Sequence, residues 1–405
     1  MTIVLSDNVI SSLGFTTEEN YRNVKQGVCG LQYFADRYGL PEPFMASEID
    51  NKRLDEAFAK VDDEYLDIID DMDCDDDYKD FMKVAKYGVR YTKLEKACIV
   101  SIAEALKGTN IDVKKGKIDF ILSTTKGNIS LLDENERGKF KQEQIYLWRS
   151  AEIIAHFFGR FNSMFVVSNA CVSGAAALIA GQRELRQKYA KYVIVTGIDV
   201  LSKFIISGFQ SFKALSPAPC KPFDANREGL NLGEAVATMI LTERKADACQ
   251  SGDIELTAGA IRNDANHISG PSRMGDGAYL ALKHILKGVA PEEIGFVCAH
   301  GTATPYNDEM ESVALTRAGL KDVPVNSLKG YFGHTLGAAG VLESVISTQA
   351  LKEGTILKTL GCDTPGVTYP LDVVMENRET SKRRFVKLLS GFGGCNTALL
   401  FTKLT

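Results

Sequence analysis

Three short stretches set reactive side chains among small residues. SNACVSGAAA, from Ser168 to Ala177, puts Cys171 where an apolar run, Met164 to Val167, gives way to a helical segment. AHGTATPYND puts His300 just after a second apolar run, and NSLKGYFGHTLGAAG puts His334 just before a second helical segment. A thiol at a helix start meets unpaired N–H groups and about half a positive charge, which favour the thiolate and can hold an oxyanion. Gly174, Ala175, Ala176 and Ala177 let backbone and substrate come close. A cysteine beside small residues is also an ordinary core residue, so Cys171 alone decides nothing. The histidines change the weighing: the chain has five, and two of them sit in glycine-rich turns where core histidines seldom lie. One cysteine with two such imidazoles suits thioester chemistry, the thiolate taking an acyl group while the imidazoles stabilise or move charge. A zinc site from Cys171, Cys298, His300 and His334 competes, but its spacings fit no compact zinc motif.

These residues need elements to carry them. Ile118 to Ser123, Met164 to Val167, Tyr192 to Thr196 and Ala237 to Leu241 read as strands, with helices such as Leu94 to Leu106 and Ser173 to Gln187 between them. After residue 246 the same kind of sequence resumes with Ile254 to Ile261, Ile294 to Ala299, a helical Gly337 to Leu351 and a strand at Thr397 to Phe401. The pattern is that of an α/β layered chain. It also reads as a duplication. Cys171-Val-Ser-Gly-Ala-Ala-Ala superimposes on His334-Thr-Leu-Gly-Ala-Ala-Gly without gaps, and IDFILSTTKG from Ile118 resembles IGFVCAHGTA from Ile294. The halves are expected at 1–245, with the cysteine, and 246–405, with both histidines. Cys171 and His334 would then face each other across a pseudo-two-fold axis.

Composition narrows the classes. With 405 residues, 45% hydrophobic and 24% charged, the chain can bury a large core. A net charge of -5 disfavours nucleic acid as a partner. The opening MTIVLSDNVI lacks a signal-peptide pattern and no run is long enough for a membrane span, so the cytoplasm is expected. Nine scattered cysteines read as reduced thiols. Val61 to Asp80 holds eleven acidic residues and reads as a solvated surface insertion. Asp71, Asp73, Asp75 and Asp77 alternate as in a calcium loop, but Asp76 and Met82 stand where the glycine and the bidentate glutamate belong.

A family resemblance rests on SNACVSGAAA, PFDANREGLNLGEAVA, NDANHISGP, HGTATPYNDEMES, NSLKGYFGHTLGAAG and GFGGCN, in this order along nearly the whole chain. The chain resembles the elongating β-ketoacyl-acyl-carrier-protein synthases, condensing enzymes of the thiolase fold. The resemblance implies duplicated α/β halves in a five-layered α-β-α-β-α arrangement. It implies Cys171 as the acylated nucleophile, with His300 and His334 supporting decarboxylation of malonyl-carrier protein. Lys329 would organise the site, paired with Glu311, and Glu343 would be a buried supporting residue. Thr302 and Thr304 would bind the phosphopantetheine arm, and Phe392 would add an oxyanion amide beside that of Cys171 and gate the acyl pocket. No metal or diffusible cofactor is implied, since phosphopantetheine arrives on the carrier protein. The implied partners are acyl-carrier protein and a second subunit, either a second copy or a chain-length factor. Two departures bear on pocket shape: KLLSGFGG lacks the usual asparagine and aromatic, and Cys395 replaces a threonine. The short loop between Lys126 and Leu147 and the compact link SKFIISGFQSFKALSPAPCKPFD resemble condensing enzymes of aryl-polyene and related specialised pathways as much as those of housekeeping fatty-acid synthesis. A biosynthetic thiolase, a non-elongating partner subunit and a carrier-binding scaffold are the alternatives: HGTAT and the Lys329 to His334 block argue against the first, Cys171 against the second, and Cys171, His300 and His334 together against the third.

Overall fold

A computed structural model of the chain describes residues 1–70, 89–113, 117–159 and 161–405. Asp71, Asp73, Asp75 and Asp77 of the calcium-loop reading lie outside the described residues. The first part of the acidic stretch belongs to the helix Asn51–Asp70. No described helix is long and apolar enough to cross a membrane.

Ten strands form one continuous sheet. In the first half they are β1 (Thr2–Ser11), β2 (Ile118–Ser123), β3 (Ser163–Val167), β4 (Tyr192–Asp199) and β5 (Ala235–Glu243). In the second they are β6 (Ile254–Asn263), β7 (Ile294–Cys298), β8 (Val325–Asn326), β9 (Arg384–Gly391) and β10 (Cys395–Lys403). Outward from the middle, the first half runs β1, β5, β4, β2, β3 and the second runs β6, β10, β9, β7, β8. The same order recurs, and so do the directions. β2 is parallel to β3 and β4, while β4–β5 and β5–β1 are antiparallel. β7 is parallel to β8 and β9, while β9–β10 and β10–β6 are antiparallel. Ile3 opposite Glu255 and Val4 opposite Ile254 join the two halves.

The helices repeat as well: α1 (Lys93–Lys107), α2 (Leu147–Phe157), α3 (Ser173–Arg186), α4 (Lys203–Ser211), α5 (Asp276–Ile285), α6 (Pro305–Arg317) and α7 (Ala339–Glu353). Helices α3 and α7 each follow the third strand of their half, the second after a 3-10 turn at Leu336–Ala338. Alternation along each strand feeds two cores. Phe120 and Leu122 point into a cluster with α1 and α2, whereas Ile121 joins the central cluster with α3 and α7. In the second half Phe385 and Leu389 face the centre, and Val386 and Leu388 face α5 and α6. Helices α1 and α2, the pair α3 and α7, and helices α5 and α6 thus alternate with the two sheet halves, the five layers implied by the resemblance.

The small residues serve the central layer. A Cβ at Gly340 would lie 2.2 Å from the Ala175 backbone nitrogen, and one at Gly174 would lie 2.9 Å from the Gly337 carbonyl oxygen. Helices α3 and α7 therefore cross almost backbone to backbone.

Candidate active site

The duplication brings the chemistry to one place. Cys171 stands just before α3, His334 just before the turn that opens α7, and His300 just past β7. Each helix entry is preceded by a left-handed residue, Ala170 at φ 45° and Gly333 at φ 69°. For Ala170 that conformation is unusual, and Ser173 holds it: the hydroxyl donates to the Ala170 carbonyl at 2.5 Å and accepts from Asn169 N–H at 2.7 Å. One donor atom from each of Cys171, His300 and His334 lies within 4.8 Å of the others, and all three side chains are buried. The imidazoles meet edge to face with centroids 5.0 Å apart.

Surroundings set the protonation states. Burial pushes the Cys171 thiol up to about 11; Lys329 and a hydrogen bond from the Phe392 N–H pull the other way, and Asp199 adds to the rise. The sequence suggested a lowered thiol; the site is buried enough to reverse the sign. Burial, then Lys329, holds both imidazoles well below the ordinary histidine range, so both are neutral. His334 Nδ1 accepts from the Leu336 N–H at 3.3 Å, which places the ring proton on Nε2. His334 Nε2 and His300 Nδ1 are buried without a partner among the described residues.

Beneath the histidines lies a charged layer. Lys329 pairs with Glu343, and Glu343 also lies 2.6 Å from Lys387. The expected pairing of Lys329 with Glu311 is therefore corrected. Glu311 accepts instead from the backbone N–H groups of His300 and Gly301, each at 2.7 Å, because α6 aims it at the turn after β7. Burial raises Glu311 to about 7 and Asp308 to about 6, the latter holding Thr302 N–H at 3.0 Å. Burial alone would raise Glu343 too, but Lys329 and Lys387 outweigh it and hold it below the usual carboxylate range.

A cavity of about 520 Å³ opens onto these groups. Thr302 and Thr304 line it and share a hydrogen bond at 2.8 Å. Phe392, in the turn between β9 and β10, is 38% exposed and packs against Phe209 and Phe212 at centroid distances of 6.0 and 5.5 Å. The cavity thus has a thiol and two imidazoles at its floor, hydroxyls on its wall and an aromatic ring at its rim.

Residues 8–247 match the family model "Beta-ketoacyl synthase, N-terminal domain", and residues 254–363 match "Beta-ketoacyl synthase, C-terminal domain". The chain belongs to the β-ketoacyl synthase family. A putative mitochondrial 3-oxoacyl-acyl-carrier-protein synthase of Schizosaccharomyces pombe is 28% identical, the match covering 99% of this chain and 98% of that protein. The 3-oxoacyl-acyl-carrier-protein synthase 2 of Vibrio cholerae is 32% identical over 59% of this chain and 62% of that protein. Among solved structures, a ketosynthase in complex with its chain length factor from Xenorhabdus doucetiae superimposes with a TM-score of 0.83 at 23% identity, covering 99% of this chain and 98% of that one. A β-ketoacyl synthase from Burkholderia phymatum gives 0.80 at 22% identity, covering 100% and 99%. These likenesses show that the synthase has the thiolase-like fold.

Two buried groups of the synthase carried no signal of their own in the sequence. Asp199, at the end of β4, accepts from Thr124 and Thr125 of the first half and from Gly337 N–H of the second at 2.7 to 3.0 Å. Lys387 lies in β9, inside KLLSGFGG. A third, Asn231, stands in a motif that had no assigned role; its carbonyl accepts the His334 N–H at 2.7 Å. Cys298, the fourth ligand of the zinc reading, stands apart from the cluster of Cys171, His300 and His334.

Proposed function

We propose that this synthase joins an acyl chain to a two-carbon unit by decarboxylative condensation, with Cys171 as the acyl carrier and His300 and His334 as donors to the enolate. The thiol attacks an acyl-carrier-protein thioester; a carbon–sulphur bond forms to Cys171, the bond to phosphopantetheine breaks, and the thiol proton leaves with the carrier thiol. Malonyl-carrier protein then loses carbon dioxide, and the electron pair of the broken bond becomes an enolate held by N–H groups of the neutral imidazoles. The enolate carbon attacks the Cys171 thioester and the carbon–sulphur bond breaks, giving a β-ketoacyl-carrier protein and a cysteine thiolate that takes a proton from water to restore the thiol. In the tetrahedral stages, the amides of residues 171 and 392 face the oxyanion. Lys329 sets the charge behind the histidines, and Thr302 and Thr304 hold the pantetheine arm. The observation that carries this reading is the convergence of Cys171, His300 and His334 within 4.8 Å on the cavity floor.

We assign acyl-carrier protein as partner and the cytoplasm as the place of work. Similar structures are described as complexes with a chain length factor or with an acyl-carrier protein. The edge strand β3, with Met164 40% exposed, supports pairing with a second subunit, a second copy or a chain-length factor. With its thiol in place, this chain is the catalytic member of either pair.

Replacing Cys171 by glutamine tests the reading. Condensation should vanish while malonyl-carrier protein still yields carbon dioxide and acetyl-carrier protein, because that step needs the imidazoles and not the thiol. Adding His300→Ala or His334→Ala should abolish the residual release, each variant being checked for folding. Undiminished decarboxylation without both histidines overturns the assignment.

A further inference from the structure

Lys387 is a fully buried lysine with an unusual set of neighbours. Its Nζ donates to the carbonyl oxygens of Cys298 at 3.0 Å, Ala299 at 2.9 Å and Leu388 at 2.9 Å. An ammonium has three N–H groups, shared here among these carbonyls and a neighbouring carboxylate. Glu343 Oε2 lies 2.6 Å from the same nitrogen as its counter-charge. Four oxygens thus enclose one cation, out of reach of water.

A buried ammonium is costly, and an apolar side chain of similar length fills such a space at less expense of free energy. Two features tie the charge to the site. First, the Ala299 carbonyl immediately precedes His300, so Lys387 grips the end of β7 from one side while Glu311 holds the His300 amide from the other. Second, Lys329 and Lys387 share the single carboxylate of Glu343, so the three groups together keep one net positive charge. That charge lies behind two neutral imidazoles, where the decarboxylation proposed above develops negative charge.

We propose that Lys387 is a positioning residue for that step: a tethered ammonium that fixes the strand end carrying His300 and, with Lys329, supplies the net positive charge behind the histidine pair. The inference rests on the proposed function and adds to it a residue whose own side chain does not line the cavity. Burial works against the charge, but the Glu343 carboxylate, as ion pair and hydrogen-bond acceptor, opposes it and keeps Lys387 protonated.

The test is chemical rescue. In Lys387→Ala, acyl transfer to Cys171 should stay within about threefold of the wild type, while kcat for malonyl-carrier-protein decarboxylation falls on the order of 100-fold with KM little changed. Ammonium chloride should restore about tenfold of the loss by entering the vacated oxygen cage, whereas tetramethylammonium chloride at equal ionic strength, having no N–H to donate, should not. Lys387→Met fills the cage and should show the same loss without rescue. Full decarboxylation in Lys387→Ala overturns the proposal, and so does a parallel loss of both half-reactions indifferent to ammonium. If the alanine variant is too unstable to assay, its Tm is the readout: ammonium should raise it relative to tetramethylammonium, and no difference overturns the proposal. A wild-type enzyme that shows neither half-reaction sinks the functional reading instead, because the ammonium-dependent Tm of the variant still reports on the cage.

Discussion

Cys171 keeps its proton. With its thiol raised to about 11, the thiolate is scarce at neutral pH, and the proton must leave as the carbonyl is attacked. Iodoacetamide labelling of Cys171 should therefore rise about tenfold per pH unit between roughly pH 7 and 10, and at neutral pH it should trail the exposed Cys29. Peptide mapping with time checks this; fast labelling independent of pH would mean that a thiolate is already formed. The individual site residues were largely legible because they sit in dense local motifs: Cys171, His300, His334, Lys329 and Phe392 each lie within a few residues of small or glycine neighbours. What failed was pairing. Glu311 and Glu343 are both acidic residues on helices near Lys329 in sequence order, and only the direction of α6 and α7 decides which one meets the lysine. Asp199 and Lys387 stood in strands with nothing beside them to mark a role, since the groups that hold them come mostly from segments far away in sequence, Thr124, Thr125 and Gly337 for the first and Cys298, Ala299 and Glu343 for the second.

The elements depend on the crossing of α3 and α7. Gly340→Ala would drive a methyl group into the Ala175 backbone, and both helix ends lie in the central core where nothing can retreat. The variant should lose about 1–3 kcal/mol of stability by urea denaturation, with activity falling further than stability because Cys171 stands at the head of α3. A variant as stable and active as the wild type would show that the helices can slide apart. Elements with strong alternation or helical spacing were readable: β2, β4, β7 and α1 end within a few residues of their sequence limits. Others were not. β8 has two residues, too few for a period, and β9 is defined by what it pairs with rather than by its own pattern. The final turn of β9 and β10 around GFGG was compatible with the sequence, and the structure makes that same turn the holder of Phe392.

At the scale of the whole molecule, two buried carboxyls link folding to pH. Glu311 at about 7 and Asp308 at about 6 keep protons in the fold that the unfolded chain has already released. Their contribution to stability is complete below the unfolded values, near pH 4, and is lost as pH rises through the folded ones. Urea denaturation at pH 5 and pH 8 should therefore show a decline that is smaller in Glu311→Gln, the difference being on the order of 2 kcal/mol. An identical pH dependence in both proteins would mean that Glu311 is already ionised in the fold. The repeated strand order has a further consequence, which concerns time. The thiol is translated long before the imidazoles, Lys329, Lys387 and the Phe392 amide, and no nascent first half can hold any of them. While the ribosome is still making β6 to β10, the growing polypeptide bears a cysteine without the neighbours that would let it take an acyl group. Maturation of the catalyst thus waits on the docking of the later half, and a stalled or truncated product is silent rather than half-active.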